Sequence, residues 1–259
     1  MKTPITYYGG KQYMLRHIRP LVPAHNLYYE PFAGGDAVLF DKEPAPINVI
    51  NDLNGELINF YRVAKERPAE LGREIAPVLH SRAQFDHACY IYRNPLFLTP
   101  VQRAAALWLL SKVSFAWKLG QAFGFEKTKS KNPRKLVNAK LAFCDEPVWL
   151  LEKATIECDD AFNIIRRYDT PGTFFFLDPP YAGTGMGHYA GMFSGQELSR
   201  LLELCNTLQG KFMLTTYSNE TVRSAANCSG WAIHPVKHPL IAAKAGRVQE
   251  EWIVCNYTL

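Results

Sequence analysis

Asp178, Pro179, Pro180 and Tyr181 are the residues of this chain whose types and spacing are best suited to chemistry. They follow the apolar run Phe174-Phe175-Phe176-Leu177, which reads as a fully buried strand. Two consecutive prolines donate no backbone hydrogen bonds and lock φ, so the strand must stop there. The stop leaves a carboxylate, two carbonyls and an aromatic ring stiffly held at the carboxyl end of a strand, the edge where open α/β sheets bind ligands. An aromatic amine is a weak nucleophile because its lone pair is delocalised into the ring. A carboxylate and a proline carbonyl, both acceptors, could take its two N–H bonds and leave that lone pair available. The tyrosine face suits stacking on the same ring. The plain alternative for these four residues is a strand-terminating turn.

The surrounding elements are those of an α/β sheet. Pro4 to Lys11 (Pro-Ile-Thr-Tyr-Tyr-Gly-Gly-Lys) runs an aromatic pair into Gly9-Gly10, and a helix is expected over 12–20. Residues 26–30 read as a strand feeding the glycine turn Pro31-Phe32-Ala33-Gly34-Gly35-Asp36, with Ala37 to Phe40 expected to be helical. A second strand over 47–50 ends at Asn51-Asp52-Leu53-Asn54. Asp52 is placed to accept from ribose hydroxyls, while Asp52 or Asn54 also serves as cap of a helix over 55–65. Helical patterning fills 56–110, punctuated by Pro68, Pro77, Pro95 and Pro100. Strand signals resume only at 155–158, followed by Asp159-Asp160 and a helix over 161–168, so 66–150 reads as an insertion. Beyond the tyrosine, 182–193 carries four glycines and Tyr189 and reads as a mobile loop beside the site. Ser194 and Glu197 have capping-box spacing, 211–217 is a further strand, and 231–236 with 250–257 suits an antiparallel edge pair joined by a loop holding Lys244 and Arg247.

Composition is that of an ordinary folded chain, with 259 residues and 47% hydrophobic. There is no apolar run of 18 residues and no basic-plus-apolar leader, which sets the expectation of a cytoplasmic protein that does not engage a membrane. Cys89, Cys144, Cys158, Cys205, Cys228 and Cys255 are scattered without a CxxC pair and read as free thiols, and His234 and His238 are expected on the surface of a strand or loop. The net charge is +5, but its distribution matters more. Lys112, Lys118, Lys127, Lys129, Lys131, Arg134, Lys135 and Lys140 face the single acid Glu126 between positions 112 and 140. Phe115, Trp117, Phe123 and Phe125 are interleaved with them, a combination suited to phosphates and bases.

Tyr8-Gly9-Gly10-Lys11, Glu30-Pro31-Phe32-Ala33-Gly34-Gly35, Asn51-Asp52-Leu53-Asn54, Asp160 and Asp178-Pro179-Pro180-Tyr181 together resemble the DNA adenine methylase family in order and approximate spacing. The likeness is to the subgroup with its target-recognition insert between the glycine turn and DPPY, and it is weakest over 66–150. It implies an α/β fold: a Rossmann-like methyltransferase sheet with an antiparallel edge pair over 1–65 and 151–259, plus a mainly helical target-recognition insert over 66–150. It also implies methyl transfer from S-adenosylmethionine to the exocyclic N6 amine of adenine in double-stranded DNA. The reaction is direct displacement on a flipped base, leaving S-adenosylhomocysteine and needing no metal.

Under the resemblance, Tyr7, Tyr8, Gly9, Gly10, Lys11, Glu30, Pro31, Phe32, Gly34 and Gly35 border the cofactor. Asp52 holds its ribose hydroxyls and Asp160 its adenine ring or amine. Asp178, also beside the cofactor, and the Pro179 carbonyl orient the target amine; Pro180 completes the catalytic segment and Tyr181 stacks on the base. Lys112, Lys118, Lys127, Lys129, Lys131, Arg134 and Lys135 are expected on DNA, and the chain is expected to be a monomer or weak dimer of prokaryotic, phage or mobile-element origin. Two departures stand out: Asp36 where the family commonly has another glycine, which would crowd or hydrogen-bond the methionine portion of the cofactor, and Tyr7 where some relatives carry tryptophan. The rival readings are methylation of the cytosine N4 amine, methylation of RNA or protein, and a DNA-binding regulator without catalysis.

Overall fold

Burial on both faces of one strand sets the architecture. All five residues of Thr173–Leu177 are buried in the computed structural model, which describes residues 3–127, 131–145, 149–181, 193–239 and 248–258. A parallel sheet covered on both faces imposes that pattern on its central strands. Along the chain come α1 (Leu15–Ile18), β1 (Leu27–Glu30), β2 (Ile47–Asn51), α2 (Gly55–Glu66), α3 (Pro68–Ile75), α4 (Arg82–Arg93), α5 (Pro100–Val113), α6 (Lys131–Asp145) and α7 (Trp149–Glu152). Then follow β3 (Ala154–Glu157), α8 (Ala161–Tyr168), β4 (Thr173–Leu177), α9 (Gly195–Cys205), β5 (Lys211–Tyr217), α10 (Glu220–Ser229), β6 (Ala232–Pro239) and β7 (Val248–Cys255).

The chain divides into two compact units, one of Met1–Gln12, Gly34–Asp41 and Asn54–Cys158, the other of Tyr13–Ala33, Lys42–Leu53 and Asp159–Leu259. Of the seven strands among the described residues, the second unit holds six, in the order β2-β1-β4-β5-β7-β6. β1 lies parallel between β2 and β4, and β4 pairs parallel with β5. β7 runs antiparallel to both β5 and β6, the expected edge pair. The connection leaves β1 toward β2 on one side and the later strands extend on the other, so the strand order reverses at the β1–β4 junction. One face of this sheet packs Tyr29, Phe175, Leu177, Phe212, Leu214, Trp252 and Val254 against α8, α9 and α10. Asp160 caps α8 through the amides of Phe162 and Asn163, and Ser194 with Glu197 forms the expected capping box at the start of α9.

The first unit is mainly helical. α5 is buried along most of its length and opens on a Thr99–Gln102 capping box with Pro100 at its first position, where a missing N–H costs nothing. Asn54 is the cap of α2, accepting from the amides of Glu56 and Leu57. A bidentate ion pair from Arg103 to Glu56 ties α5 to α2.

Two expectations fail locally. Residues 12–20 are not one helix but a 3-10 turn at Lys11–Tyr13, the four-residue α1 and a second 3-10 turn at Arg19–Leu21. Pro20 accounts for the end of α1, since its ring excludes an amide donor. Ala37 to Phe40 form turns rather than a helix, with the Phe40 amide on the Asp36 carbonyl at 3.1 Å. Asp36 precedes them at φ 49, a left-handed conformation that cannot start an α-helix, and Pro44 and Pro46 leave no length to extend one. Among the described residues no helix is long and apolar enough to cross a membrane. Cys89, Cys158, Cys205, Cys228 and Cys255 are free thiols, and His234 lies in strand β6. The glycine-rich 182–192, Lys129, Lys244 and Arg247 lie outside the described residues.

Candidate active site

In the second unit, the carboxyl ends of β1, β2, β4 and β5 emerge on one edge because they run parallel in register. Asn51, fully buried at the end of β2, binds the neighbouring loops together. Its amide nitrogen donates to the carbonyls of Pro31 and Asp159, each at 3.0 Å, and its oxygen accepts the Asp159 amide at 2.9 Å. The Ala33 amide returns to the Asn51 carbonyl at 2.8 Å. One satisfied side chain therefore fixes the turn after β1, the start of Asp52 and the Asp159–Asp160 loop relative to one another. Glu30, also buried, accepts the Tyr28 hydroxyl at 2.5 Å. Its carboxylate is engaged inside the strand end, so any cofactor contact it makes includes that bond.

Leu177 pairs with Leu214, so Asp178 emerges opposite Thr215. The buried Thr215 hydroxyl donates to Asp178 Oδ1 at 2.7 Å. A charge-assisted bond of this kind fixes the rotation of the carboxylate, and Pro179 and Pro180 fix the backbone that follows. Tyr181 is partly exposed; its ring lies 4.4 Å from that of Tyr217, centroid to centroid, at an interplanar angle of 67°, and its hydroxyl donates to Glu251. Burial, with Asp178 and Glu251 beside it, pushes the Tyr181 phenol well above its ordinary range, so it stays protonated. Thr215 and Glu251 carry no sequence signal of a site, because each acts through a strand partner that only the fold supplies. Thr215→Val, which keeps the shape and removes the donor, is expected to lower turnover about tenfold, the worth of a hydrogen bond to a charged group. Cofactor affinity and thermal midpoint should stay near wild type. Unchanged single-turnover rates would show that Asp178 needs no such anchor.

In the first unit, Tyr7 to Gly10 form a tight turn, the Gly10 amide reaching the Tyr7 carbonyl at 3.1 Å with Gly9 at φ 79. Lys11 is buried and donates to the Gly9 carbonyl at 2.7 Å. Gly34 lies at φ 50 with the Tyr7 ring so close that a Cβ would sit 3.3 Å from it, and Tyr61 donates to the Gly34 carbonyl at 2.8 Å. A side chain at Gly34 would meet both a strained backbone and that ring, so the packing of Tyr7 on this turn requires glycine there. Asn54 bridges Tyr7 and Tyr92, donating to their hydroxyls at 3.3 and 3.1 Å. Asp36, buried in the left-handed region, stands where the family's glycine is natural; aspartate is among the few other residues that tolerate it.

The basic stretch of that unit divides into two kinds. Lys112 lies 3.5 Å from the Thr6 hydroxyl, Lys118 sits over the Tyr8 ring at 5.4 Å, and Lys140 donates to the carbonyls of Ala76 and Val78. Lys127, Lys131, Arg134 and Lys135 are exposed, the last three in the first turns of α6, which has no acid there. Cations at a helix's positive end repel its dipole, and the Glu126 carboxylate, which accepts the Lys131 amide at 2.8 Å, offsets that repulsion. Between α5 and α6, a bridge from Ser114 to Phe123 closes a loop with Ala116 and Trp117 at φ 53 and 58. The loop holds Phe115 and Trp117 exposed, and Arg82 lies over both Phe123 and Phe125. Among the described residues no group of three or more His, Cys, Asp or Glu could hold a metal ion.

The chain is 29% identical over 231 residues to the type II methyltransferase M1.LlaDCHI of Lactococcus lactis subsp. cremoris, covering 82% of this chain and 79% of that protein. It is 27% identical to the DNA N-6-adenine-methyltransferase of Escherichia phage P1, spanning 88% of this chain but 31% of the phage protein. A solved putative methyltransferase, yhhF from Escherichia coli, aligns over 96% of this chain and 86% of its own at 12% identity with a TM-score of 0.37. The model of the D12 class N6 adenine-specific DNA methyltransferases matches residues 7–238, from the first aromatic turn through the DPPY segment and into β6, and the chain belongs to that family.

Proposed function

We propose that this protein methylates the N6 amine of a target adenine extruded from double-stranded DNA, using S-adenosylmethionine. The observation that carries the reading is Asp178, clamped by Thr215 and followed by two prolines, beside the partly exposed ring of Tyr181. The Asp178 carboxylate and the Pro179 carbonyl accept the two N–H bonds of the amine and turn its lone pair outward. Tyr181 stacks on the face of the base, whose amine is out of reach while the duplex is intact. When bound, S-adenosylmethionine supplies a methyl group already activated as a sulfonium, so the protein's task is orientation and polar matching.

The residues present suit that group. Half-buried Asp52 and Asp160 offer acceptors for hydroxyls and an amine. By their match to the family's motifs, we assign Tyr7, Tyr8, Gly9, Gly10, Lys11, Glu30, Pro31, Phe32, Gly34, Gly35, Asp52, Asp160 and Asp178 to holding it. Residues 66–150 are assigned to target recognition, with Lys127, Lys129, Lys131, Arg134 and Lys135 on phosphates and Lys112 and Lys118 in supporting contacts.

The test is incubation of the full chain with methyl-labelled S-adenosylmethionine and duplex DNA, followed by digestion and separation of the nucleosides. Label in N6-methyldeoxyadenosine is the expected result. Label in N4-methyldeoxycytidine would transfer the same site geometry to cytosine, and unlabelled DNA with bound cofactor would leave a binding protein rather than an enzyme.

A further inference from the structure

Glu251 is completely buried in β7, yet it is a carboxylate, and both of its oxygens are taken by phenols from distant parts of the second unit. Tyr181 donates to one oxygen and Tyr13, just before α1, donates to the other. β7 pairs with β5 so that Glu251 stands directly across from Tyr217. Directly paired residues project from the same face, and Thr215, two residues earlier on β5, shares it. This is the face opposite the one packed on α8, α9 and α10, where Leu214, Trp252 and Val254 lie. Thr215, Tyr217 and Glu251 thus form a row of polar side chains under Asp178 and Tyr181, with Thr215 on the carboxylate and Glu251 and Tyr217 on the ring.

We infer that Glu251 is a positioning residue for base stacking, holding the Tyr181 ring in one rotation through its phenol, with Tyr13 locking the carboxylate from the other side. A buried carboxylate is costly unless its acceptors are satisfied, and two phenol donors supply charge-assisted bonds. A tyrosine ring that needs only to stack on a base could be fastened by packing alone. Here its far end is held by an ion in the sheet, and the Tyr217 ring packs against it at an interplanar angle of 67°, so the plane presented to the base is set from two directions. Burial and Glu251 also push the Tyr13 phenol upward, so both donors keep their protons across the working pH range. Tyr181 acts on the base; Glu251 acts through Tyr181.

The inference rests on the methyltransferase reading, and its test separates the two. Glu251→Gln keeps size and one acceptor oxygen but removes the charge; Tyr181→Phe removes only the phenol and leaves Glu251 in place. Each is expected to lower kcat about tenfold at saturating DNA, with the dissociation constant of S-adenosylmethionine within twofold of wild type. Because both act through one bond, the double variant should be no slower than the slower single one. A wild-type kcat in either variant, or a double variant slowed by the product of the two single effects, would overturn the role. Wild-type protein that leaves adenine unmethylated would instead overturn the function proposed above. Glu251→Ala adds the contrast of a cavity and is read only alongside its thermal midpoint; the two milder variants decide the matter even where it fails to fold.

Discussion

Replacing Asp178 by alanine is expected to abolish methyl transfer while leaving the fold in place. The loss should be on the order of a thousandfold in single-turnover rate, about 4 kcal/mol of transition-state stabilisation. The carboxylate is the one charged acceptor in a segment otherwise built of prolines, and Thr215 holds it in a single rotation. Without it the target amine loses the group that opposes delocalisation of its lone pair. Stability should fall by about 1 kcal/mol, since the buried Thr215 hydroxyl, deprived of the Asp178 carboxylate, still lies 3.4 Å from the Leu177 carbonyl. Asp178→Asn is a stricter comparison. It keeps the volume and an oxygen for Thr215, but turns a donor toward an amine that needs acceptors, so it should be nearly as inactive. Thermal midpoints and rapid-quench methyl transfer check both, and near-wild-type turnover in the alanine variant would defeat the proposed chemistry.

The parts of this site that the sequence announces are those written by local backbone rules. Four apolar residues before two prolines could end only as a buried strand that stops, and β4 does so at Leu177. Asn54 and Ser194 cap their helices as their spacing announces, because capping depends on residues three apart; the cap that Asp160 makes on α8 is seen only in the structure. What joins the strand ends is a different matter. Asn51 reaches Asp159 across 108 positions, and Tyr13 reaches Glu251 across 238. Nothing in the run Glu250-Glu251-Trp252 distinguishes a buried acceptor from a solvated edge charge; only pairing with β5 decides it. Ala37 to Phe40 mislead in the opposite direction. Their apolar character is genuine and all four are buried, but Asp36 in the left-handed region turns the chain before a helix can begin. The charge count over 112–140 likewise treats each lysine alike, whereas Lys140 closes the carbonyl end of α3.

That division of the basic residues leads to the second large effect. Neutralising Lys127, Lys131, Arg134 and Lys135 together is expected to flatten the salt dependence of DNA binding. Each phosphate contact contributes a slope of about −0.9 in log affinity against log salt on duplex DNA, so loss of four should reduce the slope by about 3 to 4. At low salt the same change should weaken binding on the order of a hundredfold to a thousandfold, and should do so equally for target and non-target sequences, since phosphates carry no sequence information. The fold should not suffer. These side chains are exposed, and the bond that the Glu126 carboxylate accepts from the Lys131 backbone amide survives their neutralisation, so the helix should melt no earlier. Cofactor binding in the absence of DNA should be unchanged. A matched variant at Lys140, whose ammonium is spent on the Ala76 and Val78 carbonyls, should lower stability and leave the salt slope alone. Fluorescence anisotropy titrations of a labelled duplex across a salt series measure both quantities at once, and an unaltered slope in the fourfold variant would remove α6 from the DNA backbone.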